Sequence, residues 1–219
     1  MIEAADENGV VLMVAQVLRY YPCNRQAKAW IAEGKLGRIS SVVRRRTSFA
    51  PQSVEHIPWH LDPAVSGGLL LYGLGSHEYD AVLWLLDTHA ESVFAVGNKS
   101  DPAWDDYTDL SGIVRLDNGA MATVIQSLNC REGAWDCVVV GTEGTLTIRT
   151  ESVSLNGQVT PTPLDRDAAF RQQLGEFLDC IRTGKEPGPS GRNVRATMAL
   201  LEGVKISLAE GRPVSVADL

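Results

Sequence analysis

The sequence predicts an α+β domain: a mostly antiparallel open sheet with helices packed on one face. Three features predict it. Apolar residues alternate with period two through a series of short segments between about residues 90 and 149, as strands half-buried in a sheet do. Two stretches after residue 165 repeat with helical period and end on glycine. Residues 69–86 are apolar almost all round, which fits a helix buried by its neighbours.

Taken in chain order, Ile2–Glu7 has helical composition and stops at Asn8-Gly9, and residues 10–15 read as a buried strand. Tyr21-Pro22 opens a helix that gathers Ala27, Trp30 and Ile31 on one face and stops at Gly34 and Gly37. A strand follows over Ile39–Phe49. Its basic run, Arg44-Arg45-Arg46, reads as a solvated strand edge, with a phosphate grip as the alternative. Residues 50–66 are loop-like, contain Pro51, Pro58 and Pro63, and carry His56, Trp59, His60 and Asp62. Strands are expected over 92–96, 107–116, 120–128, 134–140 and Thr145–Arg149. Asp117-Asn118-Gly119 forms a hairpin turn because Asn and Gly accept positive φ. Of the closing helices, one runs over about 167–183, with Phe170, Leu174, Phe177, Leu178 and Ile181 inward. The other runs from Ser190 to a stop at Gly211, with Val194, Met198, Leu201, Val204 and Leu208 inward.

The 219 residues are 44% hydrophobic and 21% charged, and 20 Lys and Arg against 27 Asp and Glu give a net charge of −7. That content buries a sizeable core. Neutralising phosphates needs concentrated positive charge, so no nucleic-acid partner is expected. No apolar run reaches the roughly 20 residues that span a bilayer, and the acidic start lacks the basic flank of a signal peptide. No membrane partner and a cytoplasmic location are expected. Cys23, Cys130, Cys137 and Cys180 form no Cys-x-x-Cys pair and read as reduced, mostly buried thiols. Four histidines without His-Glu-x-x-His spacing give no expected metal site.

His77, Glu78 and Asp80 are the strongly polar members of the apolar 66–86 stretch and follow the Gly67-Gly68 turn. Burying such groups without partners costs roughly 1–3 kcal/mol or more. With an ordinary pKa near neutrality, His77 is the candidate for proton transfer. The alternative is a core histidine satisfied by a backbone carbonyl. Asp80 reads as a structural hydrogen-bond acceptor.

Residues 9–22, ending Arg19-Tyr20-Tyr21-Pro22, then Gly34-Lys35-Leu36-Gly37-Arg38-Ile39, Trp59-His60-Leu61-Asp62-Pro63, Ser66-Gly67-Gly68 through Gly75-Ser76-His77-Glu78-Tyr79-Asp80, and Ala209-Glu210-Gly211-Arg212-Pro213-Val214 together resemble the Gfo/Idh/MocA oxidoreductases. The resemblance covers nearly the whole chain, in order. It is to the C-terminal substrate-binding and oligomerisation domain over residues 16–219, of the glyceraldehyde-3-phosphate-dehydrogenase-like type, with residues 1–15 as the end of a Rossmann domain. It implies hydride transfer with NAD or NADP as cofactor, at a carbinol carbon of a sugar, inositol or related polyol. It also implies an acid/base centre made from a lysine in a Glu-Lys-Pro motif and an aspartate and histidine four apart after the glycines. His77 matches that histidine and Gly73 occupies the aspartate position; the chain contains neither Glu-Lys-Pro nor a Gly-x-Gly-x-x-Gly dinucleotide turn.

The isolated chain is therefore expected to be inactive alone. With a nucleotide domain supplied, Gln16, Arg19 and His60 are the expected cofactor contacts beside His77. In the plainer reading, Gln16 and Arg19 cap the strand and His60 is a solvated loop histidine. A non-enzymatic module, retained for self-association or small-polyol binding, is the second functional reading. A homo-oligomer through the sheet face is expected, with Leu110, Val114, Val124 and Leu128 as contacts.

Overall fold

The computed structural model describes residues 1–49, 59, 62–100, 105–217 and 219. Among them, nine strands form one sheet: β1 (Ile39–Phe49), β2 (Ala90–Asn98), β3 (Asp109–Leu116), β4 (Met121–Ser127), β5 (Asn129–Gly141), β6 (Thr145–Arg149), β7 (Ser152–Leu155), β8 (Gln158–Pro161) and β9 (Val214–Ser215). Their order is β8-β7-β6-β5-β1-β4-β3-β2-β9, antiparallel throughout except for β1 beside β4. The tight β3–β4 connection depends on Gly119 at φ 82°, a conformation that residues with a Cβ rarely adopt.

Six α-helices accompany the sheet among the described residues: α1 (Ile2–Glu7), α2 (Pro22–Ala32), α3 (Pro63–Ser66), α4 (Gly75–Leu86), α5 (Arg166–Thr183) and α6 (Gly191–Glu210). Helices α4 and α6 cover the inner sheet face. Tyr79, Val82, Leu85, Leu200, Leu201 and Val204 pack there on Val42, Val93, Leu110, Val114, Val124 and Val139. The α5 and α6 boundaries follow their caps. Asp165 accepts from Ala168 N at 2.9 Å and Ser190 from Asn193 N at 3.1 Å, while Gly184 and Gly211 end the helices in the left-handed region.

The structure corrects several expectations. Residues 10–15 form no strand: Met13 makes a single bridge to Ser190, and Val10 is 61% exposed. The neighbour of this segment is the loop before α6 rather than another strand. The stretch after Gly68 is not one helix either, because Leu69–Leu74 makes a π-helical turn before α4 begins. Gly75 permits the junction, since a Cβ there would stand 2.8 Å from the Leu70 carbonyl oxygen.

Arg44 is not on a solvated edge. Strand β1 lies between β5 and β4, so its alternation drives Val42 and Arg44 into the core and both become buried. The same alternation places Leu110, Val114, Val124 and Leu128 inside the protein rather than on an outer contact face; the exposed apolar residues of the opposite face are Val43, Val96, Ile113, Met121 and Val140. In α5, the buried residues are Ala169, Gln173 and Cys180, whereas Phe170, Leu174, Leu178 and Ile181 are exposed and Phe177 is partly buried. Tyr20, which hydrogen-bonds Glu176 at 2.9 Å, draws the polar side of α5 inward. Met198 of α6 is likewise exposed, and Thr197, Leu200 and Gly203 share the buried face with Val194, Leu201 and Val204. Strands β7, β8 and β9 escape a reading by pattern because they are two to four residues long and β8 is exposed throughout.

Candidate functional site

The first turn of α4 carries His77 half-buried at the sheet's inner face, next to a 3₁₀ turn over Val17–Tyr20. Gln16, buried just before that turn, places Oε1 2.9 Å from His77 Nδ1, while its Nε2 donates to the Ser76 carbonyl oxygen at 3.2 Å. The second bond orients the amide, since the reverse orientation would set two oxygens against each other. His77 Nδ1 therefore carries the proton, and Nε2 is left with the lone pair. Burial pushes the His77 imidazole below its ordinary value, and the Arg46 guanidinium pushes the same way against the opposing pull of Glu78 and Asp80. The neutral ring, a proton acceptor at Nε2, is the resulting form at neutral pH.

Gly73 lies four residues before His77 and is exposed, so that turn presents no carboxylate to the ring. Gln16 orients the imidazole instead, as a neutral partner that adds no countercharge.

Two buried charge clusters hold this helix. Asp80 accepts from Arg19 Nε and Nη2 at 2.9 and 2.7 Å and from Thr197 Oγ1 at 3.1 Å; Arg19 Nη1 donates to Asn193 Oδ1 and the Gly188 carbonyl. All three Arg19 nitrogens are thus engaged inside the protein, joining the 3₁₀ turn, α4 and the start of α6. Glu78, fully buried, accepts from Arg44 Nε at 2.5 Å and from Arg46 Nη1 at 3.0 Å. Arg44 also stacks 4.3 Å from the Trp135 ring centre. Burial opposes the Arg44 charge, and the Glu78 carboxylate outweighs it. Burial also pushes the Cys137 thiol up to about 11. Asp106 accepts from Leu69 N at 2.9 Å and pins the start of the π-helical turn.

Of the expected site residues, Gln16 and His77 meet, Arg19 sits behind them in the framework, and His60 lies outside the described residues. Arg46 was not expected at the site, and Glu78 was read only as a polar neighbour of His77; the paired arginines at 44 and 46 carried the signal, which becomes legible only once β1 is known to be interior. No group of three metal-ligating side chains occurs among the described residues. A dinucleotide's phosphates need an open helix N-terminus behind a strand and glycines. Here α3, α5 and α6 begin with their own capping side chains, α4 grows out of the π-helical turn, and α2, which has no side-chain cap, opens on Pro22 straight after the 3₁₀ turn rather than behind a strand and glycines. The described residues do not fit that group.

Residues 24–147 match the GFO/IDH/MocA C-terminal domain. The chain belongs to the GFO/IDH/MocA family. Within this family it is 25% identical over 208 residues to D-xylose 1-dehydrogenase [NADP(+)] of Haloarcula marismortui, covering 88% of the chain and 57% of that protein. It is 26% identical to scyllo-inositol 2-dehydrogenase (NAD(+)) of Bacillus subtilis, covering 98% of the chain and 65% of the relative. Among solved structures, aldose-aldose oxidoreductase from Caulobacter crescentus, complexed with glycerol, superposes with a TM-score of 0.85 at 23% identity, over 98% of this chain and 66% of that one. The chain thus spans about three-fifths to two-thirds of the length of these relatives. Among the described residues, no helix is long and apolar enough to cross a membrane.

Proposed function

We propose that this chain is the substrate-binding half of an NAD(P)-dependent oxidoreductase acting on a sugar, inositol or related polyol, with His77 as acceptor of the hydroxyl proton. Oxidising a carbinol removes a hydride from carbon and a proton from oxygen. This chain's residues account for the proton. The observation that carries the reading is the Gln16–His77 contact, which leaves Nε2 as a bare acceptor on a ring kept neutral by burial. The substrates named for the relatives support the class. Since the described residues do not fit a dinucleotide, Gln16 and Arg19 act on His77 and its helix rather than on the cofactor. Without a carboxylate at position 73, His77 is oriented but not charge-balanced, which limits its basicity. That feature favours the second reading, a polyol-binding module without turnover.

Self-association through the outer sheet face belongs to the same proposal, with Val43, Val96, Ile113, Met121 and Val140 exposed there. Titration of the chain with NADH and NADPH, followed by nicotinamide fluorescence, and with myo-inositol and D-xylose, followed by calorimetry, tests the division of labour. Polyol binding without dinucleotide binding is expected. Saturable micromolar dinucleotide binding, or no binding of any polyol, contradicts it.

A further inference from the structure

We propose that the substrate is a sugar acid, whose carboxylate is received by the free edge of Arg46. This rests on the reading of His77 as the site of a polyol hydroxyl. Two guanidiniums, Arg44 and Arg46, share the single carboxylate of Glu78, which leaves one positive charge in excess beside His77. The neighbouring acids do not offset it: Asp80 is held by Arg19, and Asp136 pairs with Arg45, which is exposed on the other face of β1. Nor does Arg44 have a second anion, for its Nη1 and Nη2 are buried without a hydrogen-bond partner among the described residues.

Arg46 is the accessible member of the pair, with a side chain one-third exposed. Only its Nη1 is engaged, by Glu78, so Nε and Nη2 have no partner among the described residues. Those two nitrogens form one edge of the planar guanidinium and present parallel N–H groups spaced for the two oxygens of a carboxylate. The protein itself uses this edge twice. Arg19 grips Asp80 and Arg45 grips Asp136 through Nε and Nη2.

The arrangement links recognition to proton transfer. The Arg46 charge opposes protonation of His77. A bound carboxylate neutralises that charge and raises the ring's affinity for a proton when the substrate hydroxyl must give one up, whereas a neutral polyol leaves the opposition in place.

D-Glucose and D-glucuronate differ only at C6, hydroxymethyl against carboxylate, and their binding to the 219-residue chain by calorimetry separates the cases. D-Glucuronate is expected to bind at least about tenfold more tightly, since hydrogen bonds to charged groups add roughly 1.5–3 kcal/mol. Arg46→Gln should erase the preference, and Arg46→Lys should retain part of it. The His77 titration midpoint, read by NMR, should rise with D-glucuronate and stay with D-glucose, a readout that needs no variant to fold. Equal affinities, a preference that survives Arg46→Gln, or an unmoved midpoint overturns the sugar-acid assignment alone. If neither sugar binds, the reading of His77 falls with it.

Discussion

Replacing Glu78 by Gln removes the carboxylate that Arg44 and Arg46 share while keeping the side chain's shape, so the loss is electrostatic rather than a cavity. Arg44, at 0% exposure, is then left without an anion. Removing one partner of a buried pair costs roughly 3–5 kcal/mol, because the remaining charge is stranded in a poorly polarisable interior. The Trp135 face and the new amide oxygen offset part of this, which places the expectation toward the lower end. In a domain of this size each kcal/mol shifts the melting midpoint by about 2–4 °C, so a loss of about 3 kcal/mol makes Glu78→Gln melt about 6–12 °C below the parent. Thermal and urea unfolding followed by circular dichroism measure it. Adding Arg44→Met should restore most of the loss, since the stranded charge is gone. A single variant melting within about 2 °C of the parent would refute the reasoning and mean that Arg44 reaches water or another anion.

Tyr79 points its buried hydroxyl, unpartnered among the described residues, at Gly112, where a Cβ would collide with it. Gly112→Ala should therefore lose about 1–3 kcal/mol in urea unfolding, and Tyr79→Phe in the same chain should recover most of it; equal losses in both backgrounds would contradict the contact. His77 titrates below its ordinary value of 6.5 in the folded chain, so the unfolded chain binds more protons between the folded value and 6.5. Its contribution is fully present above 6.5 and is lost as pH falls through the folded value. Urea stability measured against pH should show a shallower acid limb in His77→Gln, and an unchanged slope would count against the shift. Ser190→Ala should cost about 1 kcal/mol by removing the α6 cap, read as a lower urea midpoint.

The amphipathic helices, the β3–β4 turn and the polar trio on the apolar helix are local patterns, and such patterns are legible in a sequence. What one strand does to its neighbours is not. Arg44 looks like a surface residue until β1 is flanked on both sides, and only then does the basic run become a buried cluster that requires Glu78. The α5 stripe shows the same limit from the other direction: helical spacing identifies an apolar face, not which body covers it. Gln16 and His77 stand 61 positions apart, and no periodicity connects them. His77 itself was visible as a lone imidazole in apolar surroundings, but its tautomer depends on an amide whose orientation is set by a third residue's carbonyl.

The most direct test of the account is the ¹⁵N spectrum of the His77 ring in the free chain and after addition of myo-inositol. The Nδ1–H tautomer is expected, lost in Gln16→Leu, with a resonance from the unprotonated Nε2 that shifts when the polyol binds. A ring protonated at Nε2, or an Nε2 resonance indifferent to polyol, would contradict the assignment of His77 as proton acceptor.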